Sequence, residues 1–246
     1  MKKYEFVEDD TITMTNLNHV NILKRIRAVR DIDGVVKAGQ LGGYIQSESN
    51  LSHEDKAWVS DSATVLNNAK VADNAQVYGN AIIANNAHVY GEATVYDDAK
   101  IYGHAEVYGK AQVFDKTKIY DKAKIFGDTH IFEAAVINGH AEVYGQAQVL
   151  GYSTVTDQAQ VFDRAEISGS AKIKDSARVY EDVQVSGKAT IYGQAHVYGQ
   201  AEIYDEVEVY GQAHVHGKAW LSEDTKVFGD TVIKDDSQEI EDDLER

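Results

Sequence analysis

The stretch Ala75-Gln76-Val77-Tyr78-Gly79-Asn80 decides the fold, because its pattern returns every six residues from Ala57 to Ile233 without a slip in frame. Of the 30 positions in register with Val77, from Val59 to Ile233, all are Val, Ile or Leu. Two residues earlier, 23 of 30 are Ala and the rest are Thr, Ser or Val. Two residues later, 27 of 30 are Gly, Asp or Asn. In an extended segment residues i and i+2 point the same way, so the small and the aliphatic residue share one face. Gly, Asp and Asn tolerate positive φ, so each unit ends in a corner. One short strand and one corner per hexad wind the chain into a coil, and stacked coils make a solenoid.

The unit resembles the hexapeptide repeat of left-handed parallel β-helices. That resemblance implies an all-β triangular solenoid with three hexapeptides per coil, hence about ten coils from the 30 hexads. Neighbouring strands lie about 4.8 Å apart, so the regular prism is expected to be about 48 Å long. Left-handedness rests on the resemblance alone, since the usual rule for parallel crossovers favours the other hand.

A solenoid exposes an unpaired edge at each end and needs caps. Residues 1–44 read as a small N-terminal β cap, 45–234 as the hexapeptide-repeat β-helix (regular from 57), and 235–246 as an acidic C-terminal tail. The run Val20 to Asp31 alternates, with Val20, Ile22, Ile26 and Ala28 expected on one side, and it is expected to pair with the run around Thr11 to Thr15. Gly42 and Gly43 are expected to turn tightly into a degenerate first coil. There Ile45 and Leu51 fall on the small-residue frame, while Ser47 and His53 fall where aliphatics belong. RIRAVRD (Arg25 to Asp31) and LGGYIQSESNLS (Leu41 to Ser52), followed by Ala57-Trp58-Val59, resemble the N-terminal region of YdcK-like proteins. The resemblance implies a group found in enteric bacteria, prophages and phages. Its transferase label is inherited from the hexapeptide superfamily rather than from a defined reaction.

The net charge is −16, and the last twelve residues hold 7 acidic groups against 1 basic. The repeat body, 57–234, holds 24 against 15. Binding to a phosphate backbone needs a basic stripe, and none is visible, so direct nucleic-acid binding is disfavoured. There is no cysteine, which removes disulfides and thiolate metal sites. The N-terminus lacks the apolar run of a signal peptide and no segment reads as a membrane span, so a cytoplasmic protein is expected. No cofactor is implied: 15 of the 19 glycines are corners, so their spacing is structural and not that of a phosphate loop.

Stacking by 18 residues puts outward residues into columns. One column reads Lys70, His88, Glu106, Lys124, Glu142, Gln160, Arg178, His196, His214 and Val232. His88 beside Glu106 has the composition of a general base with its orienting carboxylate. The blander reading is a surface ladder of alternating charge, and it is preferred. His196, His214 and His216 offer at most adventitious nickel or zinc binding, with no fourth ligand in reach. Trp58 and Trp220, the only tryptophans, take equivalent outward positions in the first and last coils, where each is expected to pack under a cap segment.

The residue after each inward aliphatic is aromatic in 17 of 30 hexads. Sorted by coil, one corner is continuous: Tyr90, Tyr108, Phe126, Tyr144, Phe162, Tyr180 and Tyr198. Stacked rings stabilise neighbouring coils, by about 0.5–1.5 kcal/mol a pair beyond burial. A long aromatic stripe is also a candidate contact surface.

Three functions are open at this point. The first is a non-catalytic scaffold that binds a protein partner or a second copy of itself. The second, implied by the hexapeptide resemblance, is an acyltransferase with an intersubunit site. Such enzymes combine a catalytic His with an extruded loop, and the unbroken frame leaves no loop here. The third is an acidic rod that inhibits a nucleic-acid-binding protein by mimicry, which the 15 interspersed basic groups of the repeat body weaken. The first is preferred, with no catalytic, metal or cofactor residue assigned.

Overall fold

The computed structural model describes residues 2–16 and 19–235. Three longer strands come first: β1 (Tyr4–Asn16), β2 (His19–Ala28) and β3 (Leu41–Ile45). A short strand then follows in every hexad, from Trp58–Val59 to Val232–Lys234. The short strands fall into three parallel sheets, one per side of the coil, and β1, β2 and β3 extend one of them at its N-terminal edge. Each strand pairs with the one 18 residues on, as Val59 does with Val77 and Val77 with Val95. Ten complete coils therefore stack on a partial one that carries β3 and Leu51. The molecule is a three-sided parallel β-solenoid.

The repeat frame explains this core directly. Ala105, Val107, Ala141 and Val143 are all fully buried, as are their equivalents along the rod. Each buried Val or Ile contributes about 1.5–3 kcal/mol. At Thr117 and Ser153 the hydroxyl that replaces Ala turns back to the backbone, whereas the buried Thr129 hydroxyl has no hydrogen-bond partner among the described residues. Thr117 Oγ1 donates to the Phe114 carbonyl at 2.8 Å, and Ser153 Oγ to the Leu150 carbonyl at 2.6 Å.

Every corner residue of the repeat has positive φ, including the three that are neither Gly, Asp nor Asn: Glu133 (60°), Glu181 (63°) and Glu223 (62°). Each of these donates its N–H to a carboxylate in the coil below, from Asp115, Asp163 and Asp205 respectively. The corner aspartates thus tie successive coils together. The left-handed conformation still costs a residue with a Cβ about 1 kcal/mol. Glu133→Gly is therefore expected to raise stability by about 0.5–1 kcal/mol in chemical denaturation, since the Asp115 bond to its N–H is kept.

Three expectations for the N-terminal region need correction. The pairing of β2 with residues 11–15 is as expected, with Thr11 opposite Lys24 and Thr15 opposite Val20. Its facing is not. Val20 and Ile22 are 65% and 57% exposed, while Asn21 and Leu23 turn inward, and only from Ile26 and Ala28 does the other parity hold. Register shifts cause this: β1 bulges between Phe6 and Thr11, and β2 slips against β3 between Arg25 and Arg27. A one-residue slip moves side chains to the opposite face.

Gly42 and Gly43 make no turn. They lie inside β3, where a Cβ would meet the Val59 carbonyl and the Ile26 side chain at 2.6 Å, or the Ala63 carbonyl at 2.5 Å. They are glycine so that the strand can close onto the first coil. Ile45 pairs with Val65 and Leu51 with Val71, each 20 residues on rather than 18. Both therefore hold aliphatic, not small-residue, positions, and the two extra residues lie in the loop after Leu51.

Candidate interaction surface

The continuous corner is built as a single stack. Ring centroids from Tyr90 through Tyr108, Phe126, Tyr144, Phe162 and Tyr180 to Tyr198 are 4.8–5.1 Å apart, with planes within 8° of parallel. His216 extends it by one more ring, at 4.8 Å and 9° from Tyr198. The 18-residue register sets this spacing, because it is the spacing of the strands themselves. Each ring is half-buried: its faces are covered by its neighbours and its edge meets solvent. Burial raises the hydroxyl pKa of Tyr108, Tyr144 and Tyr180, and that of Tyr90 to about 12, where Glu106 adds to the effect.

The other two corners stack by the same geometry but break. Tyr78, Tyr96, Phe114 and Phe132 form one run, which ends at Leu150. Tyr102 and Tyr120 form another, ended by Asn138, whose amide donates to the Tyr120 hydroxyl at 2.7 Å. It resumes at Tyr192, Tyr210 and Phe228, with the Lys174 ammonium 4.6 Å from the Tyr192 ring.

Beside the continuous corner runs the column from Lys70 to Val232, in the register read from the sequence. Its charges alternate, yet Glu106, Lys124 and Glu142 do not close ion pairs with one another. Glu106 accepts from the Tyr90 hydroxyl at 3.2 Å, and Glu142 from the Gln160 amide at 3.1 Å. His88 lies ring to ring with Tyr90 at 4.4 Å. Burial lowers its pKa, and Glu106 only partly offsets this. His196 and His214 stack at 5.0 Å, and burial followed by His214 and Arg178 lowers the His196 pKa. Among the described residues no group of three or more His, Cys, Asp or Glu is placed to hold a metal ion.

The tryptophans differ. Trp58 is buried beneath β3, against Gly42. Trp220 is 49% exposed. A groove of about 660 Å³ forms an open shelf along one broken corner, walled by Asp97, Asp115, Glu133 and the exposed ring of Tyr152. No helix among the described residues is long and apolar enough to cross a membrane.

Sequence reasoning missed the plug at the N-terminal end. Lys3 and Tyr4 are fully buried. The Lys3 ammonium donates to the carbonyls of Ala57 (2.7 Å) and Glu54 (3.0 Å), and burial, then Arg30, lowers its pKa to about 8. The Tyr4 ring stacks on His53 at 4.3 Å, and burial holds its hydroxyl well above the usual range. The only available signal was the frame slip around His53.

A parallel solenoid with three strands per coil and an unbroken hexapeptide frame defines the class. Within it, residues 75–91 match the YdcK beta solenoid repeat, and the chain is similar to the YdcK-like β-helices. Comparison with curated proteins gave no match.

Proposed function

We propose that this protein is a non-catalytic scaffold that binds a protein partner, or a second copy of itself, through the corner carrying Tyr90, Tyr108, Phe126, Tyr144, Phe162, Tyr180 and Tyr198. The observation that carries the reading is the unbroken stack. Stacking for coil stability alone is satisfied in short runs on the other two corners, and nothing in that role requires one corner to be continuous. A strip of ring edges at fixed spacing gives large contact area at low entropy cost, since stacking already holds the rotamers. The flanking Glu106, Lys124 and Glu142 leave their charges unpaired with one another and available to a partner.

The test replaces Tyr144 and Phe162 together by Glu. Three stacked pairs are lost, at a cost of about 1.5–4.5 kcal/mol. The control therefore breaks the same kind of contact elsewhere, with Phe114→Glu and Phe132→Glu on an interrupted corner. Light scattering is expected to show a drop in oligomeric mass for the first pair only, with circular dichroism unchanged in both. An equal drop in both pairs would reduce the ladder to a structural role. A wild-type chain that is monomeric at high concentration removes the self-association arm.

A further inference from the structure

The hairpin of β1 and β2 runs on past the strand that ties it to the rod. β2 pairs with β3 only between Lys24 and Arg27, while its pairing with β1 continues to Asn16 and His19. Among the described residues, His19 to Leu23 have no partner strand other than β1, so this part of the hairpin is a ribbon of two strands. Its inner face is fixed at the corner where β3 ends: Leu23 is fully buried, and the Asn21 side-chain oxygen accepts from the amides of Gln46 and Asn67, both at 3.3 Å. Its outer face carries the exposed Val20 and Ile22 beside Thr11, Thr13 and Thr15, which are exposed as well. A ribbon of two strands is marginal in water and gains from a further strand.

β1 is the outermost of the 13 strands of its sheet. Native edges are guarded by charge, proline or a bulge. The first half of β1 is guarded in this way. The pairing breaks between Phe6 and Thr11, Asp9 has a φ of 66°, and Glu8, Asp9 and Asp10 stand there together. Thr11–Thr15 has none of these devices. Its sequence, Thr-Ile-Thr-Met-Thr, is strand-forming and reads nearly the same in both directions. The 13 strands set the two edges of this sheet about 58 Å apart, and the residues after Asp235 extend to at most about 40 Å, so the β1 edge lies beyond their reach.

We propose that Thr11–Thr15 is a self-pairing edge, taken by the same segment of a second copy running antiparallel about a twofold axis at Thr13. In that register Thr11 lies opposite Thr15 of the second copy, Ile12 opposite Met14, and Thr13 opposite itself. Pairs of β-branched and apolar residues stabilise an antiparallel ladder, and here no charge meets a like charge. Moving the axis to Thr11 would set Asp10 opposite Ile12 and Glu8 opposite Met14, so the pattern favours the first register. The axis is normal to the sheet, and the two rods therefore extend in opposite directions. A foreign strand would have no need of this symmetry in the sequence. The contact shares no residue with the aromatic corner.

The chain has no cysteine, so a single introduced thiol reports the pairing. Thr13→Cys puts the thiol opposite its own copy, with Cα atoms about 5 Å apart, inside the span of a disulfide. Thr11→Cys and Thr15→Cys lie about 14 Å from their own copies and opposite one another. In a glutathione redox buffer Thr13→Cys is expected to form covalent dimer at least about tenfold faster than either of these alone, and a mixture of the two is expected to give the mixed dimer. Thr13→Lys sets two ammonium groups against each other at an exposed position. It is expected to weaken the dimer at least about tenfold in sedimentation equilibrium, with circular dichroism unchanged. Tyr144→Glu with Phe162→Glu is expected to leave the preference for Thr13→Cys as it was, which separates this contact from the aromatic corner. Equal cross-linking of the three single variants would overturn the proposal, as would a dimer that Thr13→Lys leaves intact. Slow cross-linking at all three sites, with a wild type that sediments as a monomer, would assign the edge to another protein and overturn self-pairing.

Discussion

Val143→Asp is expected to cost at least about 4 kcal/mol and to break the rod near its middle. Val143 is fully buried and lies between Ile125 and Val161 in its sheet. A carboxylate there has no cation inside the prism, where the surrounding layers are Ala, Val and Ile apart from the buried hydroxyls of Thr117, Thr129 and Ser153. Contacts in a solenoid run only between neighbouring coils, so the damage is local in origin. Thermal unfolding is expected to lose its single transition, with coils on the two sides of residue 143 melting separately. Ile125→Val, which removes one methylene from the same column, is expected to cost only about 1 kcal/mol and to keep one transition. A normal melting curve for Val143→Asp would refute the inward placement of the aliphatic frame.

That placement was readable because the same physical demand recurs in every hexad. An aliphatic residue at each position from Val59 to Ile233 leaves no competing register, and 18-residue sorting then fixes which rings meet. The stack from Tyr90 to Tyr198 followed from this arithmetic, and His216 was passed over there only because the sorting counted Phe, Tyr and Trp. Where the repeat fails, so does the reading. In β2 both Ile22 and Leu23 are apolar, so the sequence offers two parities, and the bulge in β1 and the slip against β3 decide between them. Ile45 and Leu51 were assigned to the wrong frame because the two-residue insertion lies after them, out of sight of a count that runs back from Ala57.

The N-terminal plug carries the second large expected effect. Tyr4→Ala is expected to destabilise the cap and first coil by about 3–5 kcal/mol. Its ring is fully buried against His53 and edge-on to Phe6, and its hydroxyl proton is shared between the carbonyls of Leu51 (3.0 Å) and Glu48 (3.2 Å). Two graded variants separate these contributions. Tyr4→Phe keeps the ring and gives up the hydroxyl, at about 1 kcal/mol, while Lys3→Met leaves the carbonyls of Glu54 and Ala57 without their donor, at about 1–3 kcal/mol. Hydrogen exchange is the measurement that tells this from a general loss of stability. Amides of the first coil, such as Ser60 and Leu66, are expected to lose protection in Tyr4→Ala, while those of Tyr180 and Tyr198 keep theirs, because about five or six coils of nearest-neighbour contacts lie between. Uniform loss along the rod would mean that the solenoid unfolds as one unit and that the plug serves all of it. Protection unchanged at Ser60 would mean that β3 and Asn50 alone close the N-terminal end of the rod, with Lys3 and Tyr4 resting on a face already sealed.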